Sequence, residues 1–154
     1  NVAGAYEDGT VGEIHDPETH IIPNILKSLN DRSKKLTIFG KDFPTKDGTC
    51  IRDYIHVQDI CEAHVLAIKA LNKGRVNQAF NLGTQQGASI LELLHTAEKV
   101  TGKKIPYKMS SRRPGDPARL IASTNKARKI LGWTAKRDLN EMVRGAWEWE
   151  KKIA

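Results

Sequence analysis

Ile21, Ile22, Ile25, Leu26 and Leu29 fall on one broad face at helical spacing, and predict a helix that opens after Pro17 and Glu18. Pro23 lies in its first turns, where a missing N–H is tolerated. Leu36–Phe39 alternates, a strand pattern, and Gly40, Pro44, Asp47 and Gly48 mark the loop after it. Thr49–Val57 alternates Ile51, Asp53 and Ile55 against Arg52, Tyr54 and His56, and predicts a second strand or extended segment. Ile60, His64, Ala67, Ile68 and Leu71 form the apolar stripe of a helix from about Asp59 to Asn72, ended by Gly74. Gln78–Leu82 predicts a short strand, followed by a glycine-bearing turn over 83–87. Ser89 and Glu92 have capping-box spacing for a helix through Thr101, which Gly102 stops. Ile105–Met109 predicts another strand and Ser110–Ala118 a loop. Helices follow at about Ser123–Leu131 and Asp138–Lys152, the second capped by Asp138 with Glu141 three residues on. Trp133, Trp147 and Trp149 are expected to anchor these terminal helices. Asn1–Ala5 reads as the end of a strand, and the rest of the first 17 residues as irregular.

Helix and strand are mixed, strands are few and connections long. That α/β pattern suits a substrate lobe better than a complete nucleotide-binding fold. Apolar residues make up 39% of the 154, enough for a packed core. No apolar run approaches the ~20 residues of a membrane span, so no membrane partner is expected. The formal net charge of +7 draws anions, but the basic residues are scattered rather than massed in a tail, which argues against nucleic acid. Two cysteines, Cys50 and Cys61, make neither a disulfide framework nor a metal quartet, and a reducing cytoplasm is the default.

Candidate chemistry concentrates in two places. In the loop SSRRPGDPA and just past it, Arg112, Arg113 and Arg119 surround Asp116, with Pro114 and Pro117 stiffening it. Planar guanidinium forks pair phosphate oxygens two at a time, so this loop is either a diphosphate site or a solvated basic loop. Alternation puts Arg52, Tyr54 and His56 on one side of their strand. They either hold an anion and a ring, or Arg52 pairs locally with Asp53 and Tyr54 is core. His15, Glu18 and His20 match neither H-E-x-x-H nor a zinc finger, and no metal is expected. The turn LGTQQG lacks both G-x-G-x-x-G spacing and a Walker lysine, and reads as an ordinary strand-to-helix turn. His64 on its helical stripe reads as a core histidine.

Taken together, DGTCIRDYIHVQDICEAHVLAI, FNLGTQQGASILEL, RRPGDPARLIAS and KARKILGW, in this order and spacing, resemble the UDP-glucose 4-epimerases, a branch of the extended short-chain dehydrogenase/reductase family. NVAGA, ETHIIPNIL and LTIFGKDFPTKDGT match as well, so the resemblance covers essentially the whole chain. It implies a two-part enzyme. An N-terminal Rossmann domain binds NAD, a smaller C-terminal lobe binds UDP-glucose or UDP-galactose, and a Tyr-x-x-x-Lys pair removes the C4 hydroxyl proton while hydride passes to the nicotinamide. Residues 1–154 resemble the UDP-sugar-binding C-terminal portion. The NAD-binding domain is absent from the chain, and Tyr6, Tyr54 and Tyr107 are followed four residues on by Thr10, Gln58 and Ser111. The sequence therefore reads as a truncated or fragmentary one, or a naturally split or degenerate copy, inactive alone and without catalytic residues of its own.

Carried over residue by residue, the resemblance implies a role for Asn1 at the diphosphate region and for Thr37, Ile38 and Phe39 beside the uracil. Arg52 and Arg113 match the diphosphate arginines, Tyr54 a nucleotide-pocket tyrosine and Asp116 a ribose-binding aspartate. His20 and Ile21 stand where the family often has Asn-Leu, so His20 departs from the pattern. Leu120 takes a position whose bulk bears on N-acetyl sugars, a tolerance left open. Family members are often homodimers, which sets the expectation for the full-length enzyme. The alternatives are a related nucleotide-sugar dehydratase, decarboxylase or other epimerase, and a stand-alone UDP-sugar-binding module.

Overall fold

The computed structural model describes residues 1–30, 35–74 and 78–153. Its elements in chain order are β1 (Val2–Ala3), α1 (Ile21–Lys27), β2 (Leu36–Phe39), β3 (Ile51–Arg52), β4 (Ile55–His56), α2 (Val57–Asn72), β5 (Ala88–Ser89), α3 (Ile90–Thr101), β6 (Tyr107–Ser110), β7 (Arg119–Leu120), α4 (Asn125–Leu131) and α5 (Leu139–Ile153). The strands form three small sheets. β1 pairs in parallel with β4, β2 in parallel with β6, and β3 lies between antiparallel β5 and parallel β7.

The helix signals hold where a side chain closes the first turn. Ser89 and Glu92 form the reciprocal capping box of α3, and Gly102 ends it at φ 68°. Asp138 and Glu141 exchange the same pair of bonds at the start of α5, at 2.8 and 2.7 Å. The faces of α1, α3 and α5 meet over β2, and Ile25, Leu26, Ile38, Leu93, Leu94, Met142 and Val143 form the centre of that core. A second, smaller core gathers Ile55, Ala63, Ala127 and Trp133 between α2 and α4. Beside it lies the fully buried Asp59. Its carbonyl accepts from Trp133 Nε1 at 2.9 Å, and its carboxylate accepts from the Lys136 and Arg137 amides and the Arg137 guanidinium. Trp147 packs in the first core, and Trp149 donates to the Glu13 carbonyl at 3.0 Å.

Four expectations are corrected. The segment Thr49–Val57 is two short strands in different sheets, broken at Asp53 and Tyr54. Asp53 turns inward, where its carboxylate accepts from the amides of Thr84, Gln85 and Ala122 and from the Thr84 hydroxyl, so one continuous ladder cannot form. Among the described residues Gln78–Leu82 has no ladder partner and is not a strand, although Phe80 and Leu82 pack on the second core. α1 starts at Ile21 rather than near Glu18, because the Glu18 carboxylate takes the His20 amide at 2.8 Å in a non-helical turn. The stripe of α2 is core at Ile60, which packs on the second core, and not along the rest of its length. Its buried residues are Asp59 and Ala63, while Ile68 and Leu71 are exposed, and His64 is exposed with Nδ1 on the Ile60 carbonyl.

Candidate functional site

β1, the start of α1, β2, the β3–β4 break and the 110–118 loop converge on one cavity of about 210 Å³. Among its walls are Asn1, His20, Ile21, Thr37, Ile38, Phe39, Arg52, Tyr54 and Arg113. A wider hollow of about 550 Å³ adjoins it and shares Thr19, Ile21, Thr37, Phe39 and Arg113, which gives room for a ligand larger than the inner cavity holds.

Each polar wall is positioned by local structure. β2 gives one edge to β6, and among the described residues its other edge has no strand partner. The backbone of Thr37–Phe39 at the cavity therefore keeps donors and acceptors for a ligand. Asn1 is held by its amide, which donates to the Asp53 carbonyl at 3.3 Å. Arg52 is nearly buried. It donates to the carbonyls of Ile51 and Pro117 at 2.8 and 2.9 Å and meets Asp116 Oδ1 at 2.6 Å. Arg113 lies 5.0 Å over the Phe39 ring and 3.5 Å from the other Asp116 oxygen. Asp116 thus bridges two guanidinium groups, and the triad keeps one positive charge in excess. Arg112 goes elsewhere: it binds Asp42 and stacks 4.3 Å over Phe43. The basic loop is therefore divided between a cavity arginine and a surface ion pair, and Arg52 pairs with Asp116 rather than with Asp53.

Tyr54 is buried, and among the described residues its hydroxyl has no hydrogen-bond partner. Burial holds that hydroxyl protonated, far above the ordinary tyrosine range, so it is available as a donor. Cys50, which also lines the cavity, has its thiol pushed up by burial and is a poor nucleophile. The wall chemistry is that of an anion and ring binder: a cation pair, an unused hydroxyl, a free strand edge and an aromatic ring. Asp116 touches the arginines rather than the cavity wall, and Leu120 stands exposed on β7 outside it. Val2, Ala3, Thr19, Ile22, Pro23, Cys50 and Ile90 complete the wall and were missed. Of these, Val2, Thr19 and Ile22 adjoin the predicted residues Asn1, His20 and Ile21 in the sequence.

Comparison with known proteins accords with this geometry. Residues 9–146 match the sequence model of the family described as GDP-mannose 4,6 dehydratase. The chain is 53% identical to the UDP-glucose 4-epimerase of Lactobacillus helveticus over 98% of its own length and 46% of that protein's. It superposes with a TM-score of 0.95 and 40% identity on the UDP-glucose-4-epimerase of Stenotrophomonas maltophila, solved with bound NAD and formylated UDP-arabinopyranose, covering 99% of this chain and 46% of that one. The enzyme from Bifidobacterium longum, solved with NAD+ and UDP, gives a TM-score of 0.89 at 36% identity, over 99% of this chain and 45% of that one. The chain spans about half the length of the curated relatives it matches. A family model that covers most of the chain, and an α/β fold that superposes almost completely on these structures, lead to one assignment: the chain belongs to the GDP-mannose 4,6 dehydratase family, a family of the extended short-chain dehydrogenase/reductase type.

Proposed function

We propose that this chain supplies the UDP-sugar-binding half of a UDP-glucose 4-epimerase, which interconverts UDP-galactose and UDP-glucose, and that it is inactive by itself. The observation that carries the reading is the Arg52–Asp116–Arg113 triad at a cavity bordered by the free edge of Thr37–Phe39. A diphosphate entering there displaces Asp116 from one or both guanidinium groups and takes the same planar forks. The freed carboxylate then accepts ribose hydroxyls. The β2 edge meets the base, and Tyr54 donates its unused hydroxyl.

NAD would supply the hydride chemistry, and the residues present here do not fit it. The glycine turn over 83–87 lacks the dinucleotide spacing, and its Thr84 and Gln85 amides are already taken by Asp53. NAD belongs on the half of the relatives' length that this chain does not span. The exposed apolar side of α2 is the face we assign to that half. The free cysteines suit a cytoplasmic setting, and a homodimer of the full-length enzyme completes the reading.

Arg113→Ala in the full-length polypeptide removes one charge-assisted pair, about 1.5–3 kcal/mol. UDP affinity should fall about 10- to 100-fold, and an unchanged UDP titration would remove the diphosphate assignment. Product NMR of the full-length protein checks the reaction. Interchange of the glucose and galactose configurations supports it, while loss of water or carbon dioxide would assign the site to a related nucleotide-sugar enzyme.

A further inference from the structure

We propose that the loop ahead of α1 holds a second binding site, for one divalent cation of the zinc class, built from His15, Glu18 and His20. The ligand-capable atoms of these three side chains all lie within 4.8 Å of one another. Glu18 Oε1 and His20 Nδ1 are 3.0 Å apart. Two donors at about 2.0–2.2 Å from a tetrahedral zinc stand roughly 3.3–3.6 Å from each other, so this pair needs to open by only a few tenths of an ångström to make one tetrahedral edge. The His15 and His20 rings sit 5.1 Å apart, tilted by 51°, and a small closure brings both nitrogens onto a common centre. Glu13 Oε1 lies 4.0 Å from His20 Nδ1 but outside this group of three, so water takes the fourth position.

The loop is held in this shape without a cation. Trp149 Nε1 donates to the Glu13 carbonyl at 3.0 Å, the Asn24 amide donates to the Glu18 carbonyl at 3.4 Å, and the His20 backbone N–H is fixed on the Glu18 carboxylate. Lys27 takes Glu18 Oε2 at 3.7 Å, and Oε1, which accepts the His20 backbone N–H at 2.8 Å, has its second lone pair for the centre. Two imidazoles with a carboxylate oxygen form a donor set for zinc, cobalt or nickel. Calcium and magnesium prefer all-oxygen sites. On binding, the cation takes the place between His20 Nδ1 and Glu18 Oε1, and the neutral imidazole carries its one N–H on Nε2, so no net proton is lost. The spacing H-x-x-E-x-H fits no helical motif because the residues are not on a helix. A non-helical loop makes the cluster, and spacing rules written for helices and fingers pass over it.

The site shares His20 with the cavity wall and borders the adjoining hollow, so its test contains no nucleotide. The full-length polypeptide, stripped with a chelator, is titrated calorimetrically with Zn²⁺. Parallel samples receive Co²⁺, whose visible bands report tetrahedral geometry. One equivalent should bind with a dissociation constant of order 1 μM or below. His15→Ala and His20→Ala should each weaken that equivalent by at least about tenfold, and His95→Ala, an exposed histidine on α3, should leave it unchanged. His15 and His20 are exposed, so circular dichroism of both variants should match the parent. The proposal is overturned if folded His15→Ala and His20→Ala bind Zn²⁺ as the parent does. It is equally overturned if the parent binds no equivalent, or shows no tetrahedral cobalt bands.

Discussion

Asp53→Asn tests the logic of the site most directly, because Asp53 separates Arg52 from Tyr54 and fixes the break between them. Its Oδ1 accepts from the Thr84 amide at 2.8 Å and the Thr84 hydroxyl at 2.6 Å, and its Oδ2 from the Gln85 and Ala122 amides at 3.2 and 3.1 Å. Asparagine keeps one oxygen. The less costly orientation puts that oxygen on Gln85 and Ala122 and turns the new NH₂ toward Thr84, whose hydroxyl can rotate to accept. The Thr84 amide is then left facing a donor. Losing a bond to a charged acceptor costs about 1.5–3 kcal/mol, and an unpaired buried donor about 1–3. These overlap at a single amide, so a net of about 2–4 kcal/mol is expected, a roughly 30- to 700-fold change at 1.4 kcal/mol per decade. Hydrogen exchange in the full-length polypeptide reads it residue by residue. Thr84 should exchange faster by that factor, Gln85 and Ala122 by less because their acceptor stays an oxygen but loses its charge, while the α3 amides, held by their own capping box, should not change. UDP affinity should fall as well, since the flanking Arg52 and Tyr54 lose their common anchor. Protection of all three amides within about threefold of the parent would refute Asp53 as the organiser of this site.

Other perturbations read neighbouring parts of the same framework. His56 is buried and its Nδ1 accepts the Gln58 amide as the cap of α2; burial first, then Arg137, hold the imidazole below its ordinary range. The folded state therefore binds the proton less well than the unfolded one. This contribution is complete above the unfolded pKa of about 6.5 and is lost as pH falls through the lower folded value. His56→Asn, which can still cap, should flatten that part of the stability-versus-pH curve, and an unaltered curve would place the acid sensitivity elsewhere. Gly83→Ala drives a Cβ into the Asp53 carboxylate and to 2.9 Å from Ala122 Cβ, and should cost about 1–3 kcal/mol in a denaturant midpoint. Trp133→Phe removes the 2.9 Å bond to the Asp59 carbonyl within the second core and should cost about 1–3 kcal/mol by the same measurement.

The sequence carried the helices well and the sheets poorly, for one physical reason. A helix closes its own hydrogen bonds, so Ser89 with Glu92 and Asp138 with Glu141 are legible wherever they occur. A two-residue strand exists only through its partner. Nothing local in Ala88–Ser89 or Arg119–Leu120 marks them as the flanks of β3, and nothing local in Gln78–Leu82 shows that no ladder reaches it. The site was legible where motif residues also form the wall, as with Arg52, Tyr54, Arg113 and Thr37–Phe39. The structural weight of Asp53 was hidden, because its partners lie 31 to 69 residues away along the chain.

α2 shows the limit of periodicity most clearly. Helical spacing says that a face seeks cover, not what covers it. One side of α2, with Ile60, Ala63 and Leu66, packs on the second core. The other side leaves Val65, Ile68 and Leu71 at 50%, 58% and 53% exposure. A helix apolar on two sides is the kind found inside a larger body. The adjacent β1–β4 pair points the same way, because parallel strands are ordinarily buried on both faces within wider sheets. Under the proposed reading, both features mark the seat of the half that holds NAD. The break at Asp53 and Tyr54 then has a functional sense. β3, which carries Arg52, lies in the sheet with β5 and β7, and β4 pairs with β1. Arg52 and Tyr54 stand on either side of the Asp53 carboxylate at that break, so under the proposed reading the anchoring of Asp53 fixes their relative placement at the cavity.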